Sequence, residues 1–332
     1  MRRARTRAML PAIAALALGV AACGGGEEKK GSAGGGGGES KKITLIQGVA
    51  GDEFYISMQC GAEEAAKKAG AELNVQGPKE FDPAQQTEIL NGVLAEKPDA
   101  ILIAPTDVKA MVAPMLQAKE AGIKIVTVDT VTEQEDLPES AIATDNTEAG
   151  GVAAKTLQGL LEGKQGSVLV VNVKPGISTT DERQKGFEEG IKASPGLRYL
   201  GGEYSNNEPA KAASIVTSTA SAEDDLVGIF ATNLFAAEGA GTGLRESGEK
   251  DVRVVGFDAG PAQVKQLEEG IVQALIAQKP ADIGRQGVEQ AIKAINGEET
   301  EKKIVTGTEV ITKDNLDAPA SQDALYKEKC GA

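Results

Sequence analysis

Histidine and tryptophan are both missing from this chain, and aromatic residues of every kind make up only 3% of it. Imidazole is the side chain best suited to serve as a general base or metal ligand near neutral pH. Its absence removes Ser-His and Cys-His nucleophile pairs and most zinc chemistry. No GxxxxGK(S/T) stretch is present to cradle phosphate, and no HExxH or paired cysteines mark a metal. Gly239, Gly241 and Gly243 lie inside a helical pattern and not after a strand, so they are no dinucleotide fingerprint. No catalysis, cofactor or metal is therefore expected.

Cations are also scarce. There are 35 Lys and Arg against 49 Asp and Glu, a net charge of −14. Four of those cations, Arg2, Arg3, Arg5 and Arg7, crowd the first residues. Beyond residue 22, 31 cations face 49 anions, a net charge of −18. Nucleic acid needs cationic surface and is excluded as a partner. A neutral, hydroxyl-rich small ligand suits the charge better. With so few aromatics the cores must be aliphatic, which 41% hydrophobic residues allow.

The N-terminus reads as an address. After the arginines, residues 9–22 form an apolar run ending in small side chains, the shape of a signal peptide and short for a membrane span. It ends Val20-Ala21-Ala22-Cys23, which resembles a bacterial lipobox and implies cleavage before Cys23 and acylation of its thiol; the alternative is an ordinary secretory signal with a chance cysteine. Residues 24–41 (GGGEEKKGSAGGGGGESK) have no apolar periodicity and read as a flexible tether with a reach of roughly 23 Å. Cys60 and Cys330 then remain. In an oxidising compartment an even remainder favours a disulfide, the alternative being a buried thiol at Cys60 and a frayed tail at Cys330.

From Lys42 onward, apolar β-rich runs alternate with helical patterns. Strands are expected at 43–49, 71–76, 100–104, 124–129 and 142–144, and in a second series at 167–173, 197–203, 226–231, 252–257 and 272–277, with a last one at 304–310. Helices are expected between them, among them 54–69, 108–121 and 180–193. Continuous apolar runs such as Ala100–Ala104 (AILIA) belong to parallel strands covered on both faces. The order, repeated twice, predicts an α/β fold of two doubly wound parallel sheets with a ligand cleft between two lobes.

In such sheets ligands bind beyond the carboxyl ends of the strands. The residues there are Asp52, Phe54 and Tyr55; Asp129 and Thr130; Lys174, Thr180, Asp181 and Arg183; Asn207; Asn233; Asp258; and Gln278. Carboxylates and amides offer dense acceptors and donors for hydroxyl groups. An aromatic ring can cover the apolar face of a sugar. The plainer alternatives are helix caps for Asp52 and Asn233, core packing for Phe54 and Tyr55, and a local ion pair for Asp181 and Arg183. Asp129 and Asp258 could pair as in a glycosidase, but nothing marks one of them as an acid.

These residues fall in motifs that resemble, in order, the sugar-binding proteins of ABC transporters of the ribose-binding type. They are Gly-Asp-Glu-Phe-Tyr (51–55), Ala-Pro-Thr-Asp (104–107), Val-Asp (128–129), Thr-Asp-Asn (144–146), Glu-Arg-Gln-Lys-Gly-Phe (182–187), Ala-Thr-Asn (231–233), Val-Val-Gly-Phe-Asp (254–258) and Ile-Ala-Gln (276–278). The resemblance implies a type I periplasmic binding fold whose three hinge crossovers lie near Asp145, Gln278 and Gly307. The segments would be a signal peptide (1–22), a lipid-anchored tether (23–41), an N-terminal lobe (42–145 and 279–307), a C-terminal lobe (146–278 and 308–316) and a tail (317–332). It implies Phe54 and Tyr55 as stacking rings, Phe257 as a pocket aromatic, and Asp129, Asn233, Asp258 and Gln278 as hydroxyl ligands. It also implies a monomer, exported and held at the outer face of the cell membrane by its lipid alone, that delivers its ligand to ABC permease subunits. Some relatives of this fold instead present a bound signal to a sensor kinase.

The chain departs from the ribose pattern with Thr130 and Asp181 where ribose binders carry arginines, and with Asn207 where they carry Phe. Losing two donors and gaining a carboxylate shifts the expected ligand toward a sugar alcohol or a differently oriented hexose.

Because the tether separates anchor from body, Cys23→Ser is expected to release the protein from membranes with ligand binding unchanged. Partition of the variant with membranes as in wild type would refute the anchor.

Overall fold

The computed structural model describes residues 40–331. The expected signal peptide, Cys23 and nearly all of the expected tether lie outside the described residues.

Six strands make the first sheet: β1 (Lys42–Ile46), β2 (Glu72–Gln76), β3 (Ala100–Ile103), β4 (Lys124–Val128), β5 (Ser140–Thr144) and β11 (Lys303–Thr306), in the order β11-β5-β4-β3-β1-β2. Six make the second: β6 (Gly166–Asn172), β7 (Leu197–Tyr204), β8 (Leu226–Ala231), β9 (Arg253–Phe257), β10 (Ala274–Ala277) and β12 (Glu309–Thr312), in the order β12-β10-β9-β8-β6-β7. The two orders are the same pattern used twice. In each, the order reverses beside the first strand of its series, which opens a crevice at the strands' carboxyl ends. Every strand pair is parallel except β10–β12, which is antiparallel. The strand expected at 304–310 is thus two strands: it breaks at Gly307 and changes sheets, and the second half arrives running backward.

Helices cover both faces. α1 (Glu53–Ala69), α2 (Pro83–Glu96), α3 (Val112–Glu120) and α9 (Pro280–Asn296) surround the first sheet, and α4 (Asn146–Leu161), α5 (Ser178–Lys192), α6 (Pro209–Ala222), α7 (Leu234–Ser247) and α8 (Pro261–Glu268) the second. The interior strands β3 and β10 are buried along their whole length, as unbroken apolar runs require. α3 begins four residues later than the helical pattern predicts, because the Asp107 carboxylate accepts the Lys109 and Ala110 N–H groups and holds a turn there. A short helix that the pattern does not predict, α10 (Pro319–Asp323), follows β12.

Two glycine pairs set helix spacing. A Cβ on Gly150 of α4 would collide with the Arg183 carbonyl, and one on Gly186 of α5 with the Thr147 carbonyl, so these helices touch backbone to backbone. Gly239 and Gly243 of α7 do the same against Pro209 and Ala213 of α6. The glycine-rich stretch at 239–243 is therefore a packing surface.

After β5 the chain enters α4 in the second lobe, after β10 it returns through α9 to the first, and β11–β12 crosses again. Leu234 of α7 packs into the core of the first lobe, and single hydrogen bonds also join the lobes. The Val108 N–H donates to the Gly176 carbonyl (3.0 Å), the Val131 N–H to Ser178 Oγ (3.0 Å), and Lys174 Nζ to the Phe81 carbonyl. Lys174 is thereby committed to a contact between the lobes.

Cys60 of α1 and Cys330 are bonded, their Cα atoms 5.1 Å apart. In a disulfide the Cα atoms lie within about 7 Å. Thiol titration of the unfolded, unreduced protein is expected to find neither cysteine free. Two reactive thiols at these positions would overturn the pairing.

Candidate functional site

The crevice between the lobes is lined from both sides. The first lobe contributes Asp52, Phe54, Tyr55, Phe81 and Asp129; the second contributes Val173, Ile177, Thr179, Thr180, Arg183, Asn207, Asn233 and Asp258, with Gln278 at a crossover.

Asp129 and Asp258 follow β4 and β9, the equivalent strands of the two sheets. Both adopt left-handed backbone, φ 65° and 77°. A non-glycine residue in that region is strained by roughly 1–3 kcal/mol, and such strain gathers at functional sites. Their N–H groups donate to equivalent carbonyls, Asp129 to Ile142 (2.8 Å) and Asp258 to Ile276 (2.9 Å). The reversal turns each carboxylate to the cavity wall. Tyr55 Oη donates to Asp129 Oδ2 (2.8 Å) and Tyr326 Oη to Asp258 Oδ1 (2.8 Å). Gln278 Nε2 also donates to Asp258 Oδ1 (2.8 Å), while its own carbonyl accepts Thr144 Oγ1–H (2.8 Å).

Arg183 is the cation of this site. Only 2% exposed, it donates through Nε to Asn146 Oδ1 (2.9 Å) and through Nη1 to the Thr232 carbonyl (2.9 Å). Its guanidinium lies 3.7 Å from the centroid of the Phe257 ring, within cation–π range. Phe257, Phe230 and Phe187 pack in sequence beneath it. Two of its five N–H donors are thus used by the protein, which leaves the rest for a ligand.

Burial pushes the Asp129 carboxyl up to about 6, against the opposing pull of Arg183 and the Tyr55 hydroxyl. Burial also raises Asp258, again opposed by Arg183, and it raises Asp52 well above the usual range, helped by the charge of Asp258. Both Tyr55 and Tyr326 are held well above their ordinary values, first by burial, and so remain hydroxyl donors.

Several residues combine a cap with a place on the wall. Asp52 caps α1 through the Phe54 N–H (2.8 Å). Asn233 caps α7 through the Ala236 N–H (3.2 Å) and donates its amide to Asn207 Oδ1 (2.7 Å), which fixes Asn207 in left-handed backbone opposite. Phe54 and Tyr55 line the cavity edge-on to each other, ring centroids 5.1 Å apart.

Three residues expected at the ligand are not on the wall. Asp181 is one helical step from Thr180 and turns away; its carboxylate accepts the Gly176 N–H (2.8 Å). Thr130 follows the reversed Asp129, its N–H folded back on the Val128 carbonyl (2.8 Å), and its side chain is buried in the packed interior. Phe257 is wholly buried beneath Arg183. The donor–acceptor argument drawn from Thr130 and Asp181 accordingly loses both its members, and Arg183 restores one guanidinium.

Sequence reasoning missed Phe81, which lies in the loop before α2, and Tyr326, in the tail. A Cβ on Gly48 would strike both Phe81 and the Tyr55 hydroxyl, so the glycine after β1 was the available signal for the first.

Residues 43–299 match the periplasmic binding protein domain family. An ABC transporter solute binding protein from Agrobacterium vitis, solved with bound alpha-D-tagatopyranose, is similar at 41% identity and a TM-score of 0.85, covering 87% of this chain and all of that one. A second from the same organism, with bound D-fucose, is 32% identical with a TM-score of 0.82, over 86% of this chain and 100% of that one. The ribose import binding protein of Escherichia coli (strain K12) is 29% identical over 82% of this chain and 90% of its own length. These are binding proteins and not enzymes. On the family match, the two-lobed fold and the shared extent, the chain belongs to the periplasmic binding protein domain family, of type I architecture.

Proposed function

We propose that this protein captures a monosaccharide or sugar alcohol between its lobes and delivers it to the permease of an ABC importer. In this reading it works outside the cytoplasm, as a monomer tethered to the membrane through acylated Cys23. The supporting observation is the composition of one buried wall: three carboxylates (Asp52, Asp129 and Asp258) accept, while Arg183, Asn233 and Gln278 donate. A ring or chain bearing a hydroxyl on nearly every carbon is both donor and acceptor and answers such a wall. Thr180 adds a buried hydroxyl that has no protein partner. Phe54 and Phe81 supply apolar surface for carbon-bound hydrogens. Relatives bound to tagatose and fucose support the class of ligand.

Calorimetric titration of the protein against D-tagatose, D-fucose, D-arabinose, D-ribose and ribitol is expected to yield at least one saturable ligand. Failure of all five would count against the reading.

Asp129 gives a second check. An acid whose folded pKa exceeds its unfolded one binds its proton more tightly when folded. Its contribution to stability is therefore present at low pH and is lost as pH rises from about 4 to about 6. Asp129→Asn is expected to be more stable than wild type at pH 7.5, by up to roughly 3 kcal/mol, the difference shrinking toward pH 4. The same variant is expected to bind sugar more weakly by about 1.5–3 kcal/mol, the range for hydrogen bonds to charged groups. Wild-type affinity is expected to fall as pH drops through about 6. Thermal melts and titrations across pH decide this. A variant less stable than wild type and unchanged in affinity would make Asp129 a purely structural residue.

A further inference from the structure

The last residues of the chain reach back across the molecule into the site. After β12, Leu316 and Ala324 pack into the core of the second lobe. Two residues further on, Tyr326 is buried in the core of the first lobe, its ring 5.9 Å from that of Phe54. Its N–H donates to the Ala259 carbonyl (3.0 Å), next to Asp258. The Lys327 N–H then donates to Ser57 Oγ of α1 (2.7 Å), and Cys330 is bonded to Cys60 on the same helix. Besides the three crossovers and the single hydrogen bonds at Val108, Val131 and Lys174, the tail ties the lobes together covalently and by packing.

The Tyr326 hydroxyl is placed where that tie meets the site. It donates to Asp258 Oδ1 (2.8 Å) and accepts the backbone N–H of Gln278 (3.1 Å), the crossover residue. Gln278 Nε2 donates to the same carboxylate oxygen (2.8 Å). Oδ1 of Asp258 is thus doubly occupied, and the rotation of the carboxylate is fixed. Tyr55 does the equivalent for Asp129 from within α1. In the second lobe no helix supplies such a tyrosine, and the tail brings it instead.

We propose that Tyr326, pinned by the Cys60–Cys330 bond, is a positioning residue of the ligand site that aims the Asp258 carboxylate and ties it to the hinge at Gln278. The proposal rests on the sugar-binding reading above. It gives the C-terminal tail a part in ligand affinity, and it makes the disulfide a support of the site rather than of the fold alone.

The test is Tyr326→Phe in the full-length protein, which keeps the ring against Phe54 and removes only the hydroxyl. With whichever of the five ligands wild type binds tightest, Kd is expected to rise about tenfold, because ligand binding must then re-order a carboxylate that the hydroxyl no longer aims. The hydroxyl bond lowers the Asp258 pKa, so the acid limb of binding is expected to move to higher pH in the variant, a shift that lost packing would not produce. Cys330→Ser is expected to weaken binding as well. Its effect combined with Tyr326→Phe should fall short of additive, since both act through one hydroxyl. Wild-type Kd and an unshifted pH profile in Tyr326→Phe would overturn the proposal. If wild type binds none of the five, the functional reading fails first, and the carbon-13 carboxyl titration of Asp258 still decides the inference. A higher midpoint in Tyr326→Phe supports it, and an unchanged one refutes it.

Discussion

A buried guanidinium holds the two halves of the site in electrostatic register. Arg183 stands among carboxylates from both lobes and lowers the pKa of Asp129 from one and Asp258 from the other. Without it, desolvated carboxylates would face each other across the crevice, an arrangement that costs several kcal/mol per uncompensated charge. The rest of the neighbourhood serves to place that cation. Asn146, the first residue of α4 past a crossover, and the Thr232 carbonyl at the end of β8 take its hydrogen bonds. Phe257 lies flat beneath it. Gly150 lets α4 lie directly on the backbone of Arg183 itself. Seven of the ten aromatic residues in the chain line the crevice, stack under Arg183 or hold a carboxylate. The aliphatic cores elsewhere leave the few large rings for this place.

The site also inherits the internal symmetry of the fold. β4 and β9 occupy matching places in sheets of the same order, and each ends in an aspartate with reversed backbone held by a tyrosine hydroxyl. The strain of left-handed backbone and the desolvation of the carboxylates both oppose folding. Their concentration in one crevice fits the general trade between stability and a preorganised site. The symmetry breaks in how the tyrosine arrives, from α1 on one side and from the tail on the other. It breaks too in the cation, which the second lobe alone supplies.

Much of this is legible in the amino-acid sequence. Parallel strands buried on both faces must be apolar throughout, so β3 and β10 announce themselves, and polar residues directly after such strands have little place to go but the crevice. Asp52, Asp129, Asn233, Asp258 and Gln278 are read that way, and all five line it. A residue inside a helix carries no such mark. Thr180, Asp181 and Arg183 are equally polar and adjacent in sequence. The 100° step of the helix, fixed by the packing of α5 on α4, decides that the first and third face the cavity while the second caps a loop.

The alternation of apolar runs and helical periods by itself determined two α/β lobes and the ends of the strands where a ligand would sit. It did not determine which side chains share a wall. Tyr326 lies 68 residues beyond Asp258, in a stretch with no periodic pattern, and only the return of the tail to α1 puts its hydroxyl on that carboxylate. Local sequence encodes hydrogen-bonding period and burial, which act over one or two turns of chain. Contact between segments far apart is set by how the finished lobes pack, and in this protein that packing selects the hydrogen bonds of the site.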